Sequence, residues 1–316
     1  MGTKPLRAGD RYRGALLGLA AGDALGTTLE FRRPGSFEPI DDMVGGGPFG
    51  LRPGEWTDDT SMALCLAESL VESGGFDPHD QMRRYVRWWR EGYLSSNGSC
   101  FDIGNTVTAA LGRFEKTGDP FSGGTDPLRS AANGALMRLA PVALAFAADP
   151  AEAIRLCGES SRTTHAVRDS IDACRYFGAL LVGALQGRSK DELLQRRFEP
   201  IAGCWSEAPL STAIGAIADG SFLTAEPPTI QGTGHVVRSL EAALWAFHRS
   251  DGFRDGALLA VNLGDDADTT GAIYGQLAGA FYGESGIPAH WSHSLALRQR
   301  IVELADQLLA LAAPPR

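Results

Sequence analysis

The sequence predicts an all-α protein built as one domain. Apolar residues recur at helical spacing through most of the 316 residues, and hardly any stretch alternates apolar and polar residues with a period of two. Glycine recurs at every fourth position in two distant segments. Two similar acidic turns lie near opposite ends of the chain, which favours one domain although the length allows two. We therefore expect one domain over residues 1–316, with a core of about residues 11–312.

The two glycine-rich segments are predicted to be helices that pack against each other. Glycine inside a helix costs roughly 1 kcal/mol relative to alanine, so a regular stripe of glycines needs a reason. Close approach of a second helix is such a reason, because glycine has no side chain to keep the two backbones apart. The first helix is predicted over residues 11–25, and the second follows the C-terminal acidic turn. The stripes are Gly14, Gly18, Gly22 and Gly26 in the first helix, and Gly271, Gly275, Gly279 and Gly283 in the second.

The other predicted helices follow from apolar periodicity between turn-forming residues. Residues 130–147 are expected to be helical after Asn133-Gly134, with a kink or break at Pro141. Residues 27–54 and 97–105 are predicted loops, and residues 193–228 a short helix plus loop. The remaining helices are predicted over residues 58–71, 81–91, 106–116, 150–161, 167–185, 235–248, 253–263 and 295–311.

Composition limits the class of protein. A net charge of −9 without a cluster of Lys or Arg argues against a nucleic-acid partner. No run of about 18 uncharged apolar residues is long enough for a membrane span. The five cysteines are odd in number and lack a Cys-x-x-Cys motif, which favours a reducing compartment. We expect a cytoplasmic monomer that does not bind membranes.

The two acidic turns are the candidate metal site. Asp58 and Asp59 follow Thr57 in the first turn, and Asp266 and Asp268 precede Thr269 in the second. Oxygen ligands of this kind suit Mg²⁺ or Mn²⁺, and the zinc ligands His and Cys are absent from both turns. Four converging carboxylates would repel one another unless cations neutralised them. The sequence therefore predicts that folding joins the turns around two divalent cations.

A structural alternative exists for each turn. Asp and Thr are also favoured helix N-caps, where they suit the positive end of the helix dipole. One such turn alone favours capping, whereas two turns that each open an apolar helix favour a site. Capping and metal binding can also coexist at one helix start.

Five motifs together resemble the ADP-ribosylglycohydrolase family, whose bacterial prototype is dinitrogenase reductase-activating glycohydrolase. The resemblance runs in the expected order from about Tyr12 to Trp291. It implies a compact, orthogonal, all-helical fold and a binuclear Mg²⁺ or Mn²⁺ centre. The motifs are Gly22-Asp23-Ala24-Leu25-Gly26 with Glu30, Trp56-Thr57-Asp58-Asp59-Thr60, Asn133-Gly134-Ala135-Leu136-Met137-Arg138, Thr164-His165, and Gly264-Asp265-Asp266-Ala267-Asp268-Thr269.

The resemblance also implies roles for single residues. Glu30 and Asp102 correspond to acidic residues near the metals and the ribose, which makes them the candidate catalytic residues. The implied metal ligands are Thr57, Asp58, Asp59, Asp266, Asp268 and Thr269. The implied substrate-binding residues are Gly104, Asn105, Asn133, Gly134, Ala135, Met137 and His165.

Family members cut the bond between the anomeric carbon of ADP-ribose and an acceptor, often arginine. Two cations can hold the ribose diol and a bridging water, while Asp102 or Glu30 assists the developing positive charge or moves a proton. The Asn133-Gly134 segment can offer N–H groups to the diphosphate at a helix start. Arg138 can either add positive charge there or form a structural ion pair.

The resemblance leaves the acceptor open. An ADP-ribosylated protein, with arginine as the leading acceptor, or a small ADP-ribose conjugate are the expected partners. Serine conjugates and small ADP-ribose esters are alternative substrates. A two-metal phosphoesterase would release AMP or phosphate instead of ADP-ribose, and a non-catalytic ADP-ribose binder or structural protein would release nothing.

Overall fold

The computed structural model describes residues 6–313, and its regular secondary structure is helical. Regular β-strands are absent from these residues, where pairing is limited to isolated bridges such as Gly124 with His165. The all-α prediction is confirmed. The predicted domain of residues 1–316 extends at both ends outside the described residues.

The sixteen α-helices in the described range are α1 (Ala8–Gly26), α2 (Asp58–Ser73), α3 (Pro78–Glu91), α4 (Asn105–Thr117), α5 (Pro127–Ser130), α6 (Ala140–Ala145), α7 (Pro150–Arg162), α8 (Arg168–Leu185), α9 (Lys190–Leu193), α10 (Cys204–Glu207), α11 (Thr212–Ala218), α12 (Val236–Arg249), α13 (Phe253–Val261), α14 (Ala267–Tyr282), α15 (Ala289–Ser294) and α16 (Arg298–Ala312).

Helices α1 and α14 form the centre of the molecule. They run antiparallel, with Gly14 against Gly279, Gly18 against Gly275 and Gly22 against Gly271. A Cβ atom at any of these positions would overlap a backbone carbonyl of the opposite helix. All residues at 14–26 and 267–280 are buried, so these parts of both helices are enclosed on every side rather than amphipathic. The predicted contact between the glycine stripes is confirmed.

The other helices surround this central pair and bury its remaining faces. Helices α8, α12, α13 and α16 pack against it, and α2 packs against α3, α6 and α16. The core is continuous from α1 to α16 and includes Trp56, Trp88 and Trp291, each at most 1% exposed. No helix in residues 6–313 has both the length and the apolar character needed to cross a membrane.

The helix predicted over residues 130–147 was wrong, and Gln276 of α14 gives the reason. Residues 131–139 form a turn between α5 and α6 instead of a continuous helix. The amide of Gln276 donates to the carbonyl oxygens of Leu136 and Met137 and accepts from the N–H of Ala140 at 2.7 Å. These tertiary bonds replace intrahelical ones. Pro141 does not kink a helix, because it lies in the first turn of α6, where no N–H is required.

Candidate active site

The two acidic turns meet at the N-termini of α2 and α14, beside the C-terminal end of α1. The Thr57 hydroxyl lies 3.1 Å from Asp59 Oδ2 and 3.1 Å from Asp268 Oδ2, which is 211 positions further along the chain. Asp266 accepts a hydrogen bond of 2.6 Å from the side chain of Asn133. The predicted convergence of the acidic turns is therefore present in the fold.

The acidic side chains of the two turns do not cap the helices that follow them. Thr57 is the N-cap of α2 and Asp266 is the N-cap of α14, yet neither side chain makes a capping hydrogen bond. Asp23 of α1 performs this role for α2. Its carboxylate accepts from the N–H groups of Thr57 at 2.8 Å and Thr60 at 3.0 Å. The acidic side chains of the two turns are thus free to face the site.

Three carboxylate oxygens at the site are buried and have no hydrogen-bond partner among the described residues. They are Oε2 of Glu30, Oδ1 of Asp59 and Oδ1 of Asp268. Two groups of carboxylates place oxygens within 4.8 Å of one another and share Asp268. These groups are Asp23, Asp59 and Asp268, and Glu30, Asp102 and Asp268. Because an unpaired buried carboxylate is costly, the all-oxygen donor set fits a bound divalent cation.

Burial and mutual repulsion raise the pKa values of these acids when no cation neutralises them. Burial is the largest cause for each acid. The pKa values of Asp58, Asp59 and Asp268 are well above the ordinary range, with neighbouring carboxylates adding to the effect of burial. The pKa is raised to about 10 for Glu30, through burial and the charge of Asp102, and to about 7 for Asp102. The cluster therefore has a strong preference for positive charge.

A cleft of about 420 Å³ opens above the acid cluster. Thr57, Asp59 and Asp268 lie buried beneath it. Ala135 does not line the cleft, and its side chain packs in the apolar core. The other predicted site residues line the cleft: Glu30, Asp58, Asp102, Gly104, Asn105, Asn133, Gly134, Met137, His165, Asp266 and Thr269.

The Asn133 turn was predicted as a helix start, and the fold corrects this. Asn133 O accepts from the N–H groups of Leu136 and Met137 in a single turn that does not continue into a helix. Within residues 6–313, the N–H groups of Gly134 and Ala135 donate to no protein acceptor. The turn can therefore still offer backbone donors, and Ala135 can contribute its N–H although its side chain is in the core.

Asp23 and the residues around Phe31 were not predicted as part of the site. The signal for Asp23 was present, since it is an acid inside an otherwise apolar glycine-striped helix. Phe31 and Asp265 also line the cleft, and both have a φ of +60°. Phe31 N–H donates to Asp265 O at 2.7 Å. This bond ties the loop that carries Glu30 to the second acidic turn.

The fold and the cleft define an all-α protein with a buried acidic site, and comparison with known proteins gives its family. The ADP-ribosylglycohydrolase family profile matches residues 3–316. The chain belongs to the ADP-ribosylglycohydrolase family, as the motifs predicted, and is a glycohydrolase.

Named relatives and a solved structure agree with this assignment. ADP-ribosylarginine hydrolase Tri1 of Serratia proteamaculans is 43% identical over 303 residues, covering 96% of this chain and 80% of the relative. The ADP-ribosyl-[dinitrogen reductase] glycohydrolase of Rhodospirillum rubrum is 34% identical over 312 residues, covering 96% and 97%. A solved structure described as an ADP-ribosylglycohydrolase-related protein complex has a TM-score of 0.85 and 45% identity, covering 97% of this chain and 99% of that one.

Proposed function

We propose that this protein hydrolyses the bond between ADP-ribose and an arginine side chain, with two divalent cations, Mg²⁺ or Mn²⁺, bound by the acid cluster. The observation that carries the proposal is the charge of the cleft. Its lining holds five carboxylates and neither Lys nor Arg, and three of the five (Glu30, Asp102 and Asp265) are outside the proposed cation ligands. A guanidinium acceptor is cationic and suits such a cleft. Relatives from Serratia proteamaculans and Pseudomonas putida, 43% and 44% identical, are named ADP-ribosylarginine hydrolases.

The proposed cation ligands combine the two acidic turns. They are Thr57, Asp58, Asp59, Asp266, Asp268 and Thr269, and the unpartnered oxygens of Asp59 and Asp268 support their choice. Asp23 is assigned a positioning role, because hydrogen bonds from Thr57 and Thr60 occupy its carboxylate. When bound, the cations supply Lewis-acid stabilisation and orientation of the ribose hydroxyls.

Asp102 and Glu30 are the proposed proton-transfer residues. In the overall reaction, water adds to the anomeric carbon while the bond to the guanidinium nitrogen breaks, and the proton that the water loses ends on that nitrogen as arginine leaves. The carboxylate of Asp102 is suited to carry that proton, since it lines the cleft and has an oxygen within 4.8 Å of the Asp268 carboxylate. Glu30 lies within reach of the Asp102 carboxylate and can share this proton.

Neutral donors are proposed to hold the diphosphate, because the cleft lining has no Lys or Arg. The unpaired N–H groups of Gly134 and Ala135 belong to the Asn133 turn. Gly104 and Asn105, at the N-terminus of α4, and Met137 complete the proposed substrate-binding set with His165.

The test uses defined ADP-ribosyl-arginine and ADP-ribosyl-serine peptides, with chelator and after addition of Mg²⁺ or Mn²⁺. We expect release of free ADP-ribose from the arginine peptide only when cations are present. Preference for the serine peptide would overturn the acceptor. Release of AMP or phosphate would indicate a phosphoesterase, and no turnover on any conjugate would indicate a binder.

An aromatic rim beside the cleft gives a second test of the acceptor. Phe31 is 65% exposed, its ring centroid is 6.5 Å from that of Phe49, and Phe49 is 5.2 Å from Phe101. A guanidinium over an aromatic face is stabilised by about 0.5–2 kcal/mol. Phe31→Ala should therefore raise KM for the arginine peptide by roughly two- to thirty-fold. Val44→Ala, an exposed change in the same loop outside the cleft, should leave KM unchanged, and equal effects of both variants would contradict the proposed contact.

A further inference from the structure

Arg138 is a fully buried cation without a carboxylate partner among the described residues. Its exposed fraction is 0%, and it takes part in none of the ion pairs of residues 6–313. It does not line the cleft, so it cannot contact the substrate directly. Neither role considered from the sequence, a diphosphate contact or an ion pair, fits this position. A buried guanidinium is costly, so its contacts need an explanation.

The neighbours of Arg138 form a chain of polar contacts that ends at the cleft. Arg138 Nη2 donates to Thr164 Oγ1 at 2.6 Å, and Thr164 Oγ1 lies 2.8 Å from His165 Nδ1. The guanidinium carbon lies 4.5 Å from the centroid of the Tyr85 ring, and Nη1 lies 3.6 Å from the sulfur of Met62. His165 is the member of this chain that lines the cleft.

The direction of each hydrogen bond in this chain follows from the chemistry of its first member. Arginine has only donors, so Thr164 Oγ1 must accept from Arg138. The hydroxyl hydrogen of Thr164 then has one acceptor within reach, which is His165 Nδ1. If Nδ1 carried a proton instead, this fully buried hydroxyl hydrogen would have no partner. Nδ1 therefore accepts, and the ring proton is on Nε2.

Nε2 of His165 is the atom left for a ligand. It is buried and has no hydrogen-bond partner within residues 6–313. The backbone of His165 is fixed, since its N–H donates to Ser161 O at 2.7 Å and its carbonyl accepts from the Ser161 hydroxyl at 2.8 Å. Gly134 lets the ring lie against the Asn133 turn, because a Cβ there would be 2.9 Å from Cε1 of His165. Burial, with the charge of Arg138 adding to it, lowers the pKa of His165 to about 3, so the ring is neutral.

We propose that Arg138 and Thr164 are positioning residues that hold His165 as the neutral Nε2–H tautomer, which donates to an oxygen of bound ADP-ribose. The identity of the ligand rests on the proposed function, whereas the tautomer does not. In this tautomer the Nε2–H group of His165 is a hydrogen-bond donor for the cleft. Because the ring is neutral, it adds no positive charge near the proposed cation ligands. Arg138 acts through His165, and its charge stays beneath the cleft.

The tautomer can be measured directly by long-range ¹H–¹⁵N NMR of the histidine rings in the full chain, with His165 assigned by its loss in His165→Asn. We expect a single neutral Nε2–H form of His165. Arg138→Met releases the Thr164 hydroxyl to accept, so an Nδ1–H population should appear. Thr164→Ser keeps the hydroxyl and should keep the wild-type tautomer. Met62 lies against Nη1 of Arg138 but is hydrogen-bonded to neither Thr164 nor His165, so Met62→Leu is the matched control for a change in packing around the guanidinium.

Calorimetric titration with ADP-ribose tests the ligand contact. We expect Arg138→Met and His165→Asn to raise Kd about tenfold, and Thr164→Ser and Met62→Leu to leave it near the wild-type value. A protonated Nδ1 in the wild-type protein would overturn the proposal even if Arg138→Met fails to fold. An unchanged Kd for His165→Asn would overturn the contact with ADP-ribose. If the wild-type protein bound no ADP-ribose while His165 kept the Nε2–H form, the proposed function would fail and the assigned tautomer would stand.

Discussion

Asp23 acts on the site indirectly, through its contacts with the start of α2. Its carboxylate accepts from the backbone N–H and hydroxyl groups of Thr57 and Thr60, with distances of 2.6 to 3.0 Å. Burial raises the pKa of Asp23 to about 6, although these four hydrogen bonds oppose the rise. Asp23 thus accepts from two of the N–H groups at the start of α2 and leaves the side chains of Asp58 and Asp59 available to the site.

Asp268 is the residue at which a single change tests the metal site. Asp268→Asn keeps the shape of the side chain but removes its negative charge and replaces an acceptor oxygen with a donor. We expect loss of divalent-cation binding and a fall in kcat of more than about a hundredfold, with an unchanged helical circular dichroism spectrum. Asp255→Asn, at a largely exposed acid of α13, is the control. Near-normal turnover of Asp268→Asn would show that the ligand assignment is wrong.

The raised pKa of Asp102 predicts how the stability of the cation-free protein depends on pH. Its folded pKa of about 7, caused mainly by burial, lies above the unfolded value of about 3.9. The folded state then holds the proton more tightly, so this contribution to stability is fully present below about pH 4 and is lost as pH rises through about 7. In chelator, we expect the melting temperature to fall by a few degrees between pH 5 and pH 8. Asp102→Asn should show a shallower fall, and an equal slope in both proteins would contradict this explanation.

At the scale of elements, the glycine stripes decide how closely α1 and α14 approach. Gly18→Ala would place a Cβ against the Gly275 carbonyl, and neither backbone can move without repacking the core. We expect a loss of more than about 2 kcal/mol in the free energy of unfolding, measured with denaturant. Gly9→Ala is the matched change in the same helix, where the new Cβ would lie an ordinary 3.8 Å from Leu309. It should stabilise by up to about 1 kcal/mol, and a similar gain for Gly18→Ala would refute the packing argument.

Helix boundaries were predicted well where local signals set them. Asp149 caps α7 and Pro150 opens it, as the sequence indicates, and Asp58 begins α2 where predicted. Helix α3 begins at Pro78 rather than residue 81, because Asp77 caps it and proline is tolerated in the first turn. Residues 131–139 depart from helix because Gln276, more than a hundred residues away, takes their hydrogen bonds. No local pattern carries that information.

At the scale of the whole molecule, the site connects the two ends of the chain. Asp58 and Asp59 belong to the first fifth of the sequence, and Asp266 and Asp268 to the last fifth. A cation that binds only the folded state should therefore stabilise the whole fold, by about 2.7 kcal/mol at a hundred times its Kd. We expect the melting temperature to rise with Mg²⁺ or Mn²⁺ concentration in the wild-type protein. Asp59→Asn should abolish the rise, and a constant wild-type melting temperature would count against the site.

The sequence by itself determined the fold class, the family and the acidic residues that meet. The fold class, the family and these acidic residues depend on local signals, such as helical periodicity, glycine stripes and short motifs, which can be recognised in the sequence alone. The roles assigned to single site residues, and the single domain, stay predictions. Only the tertiary structure decided what each polar atom faces. It placed Asp23 beneath Thr57, removed Asn133 from a helix and buried Arg138 behind His165. The physical reason is that hydrogen-bond partners and burial are set by residues far apart in the chain, whose approach depends on how α1 and α14 pack.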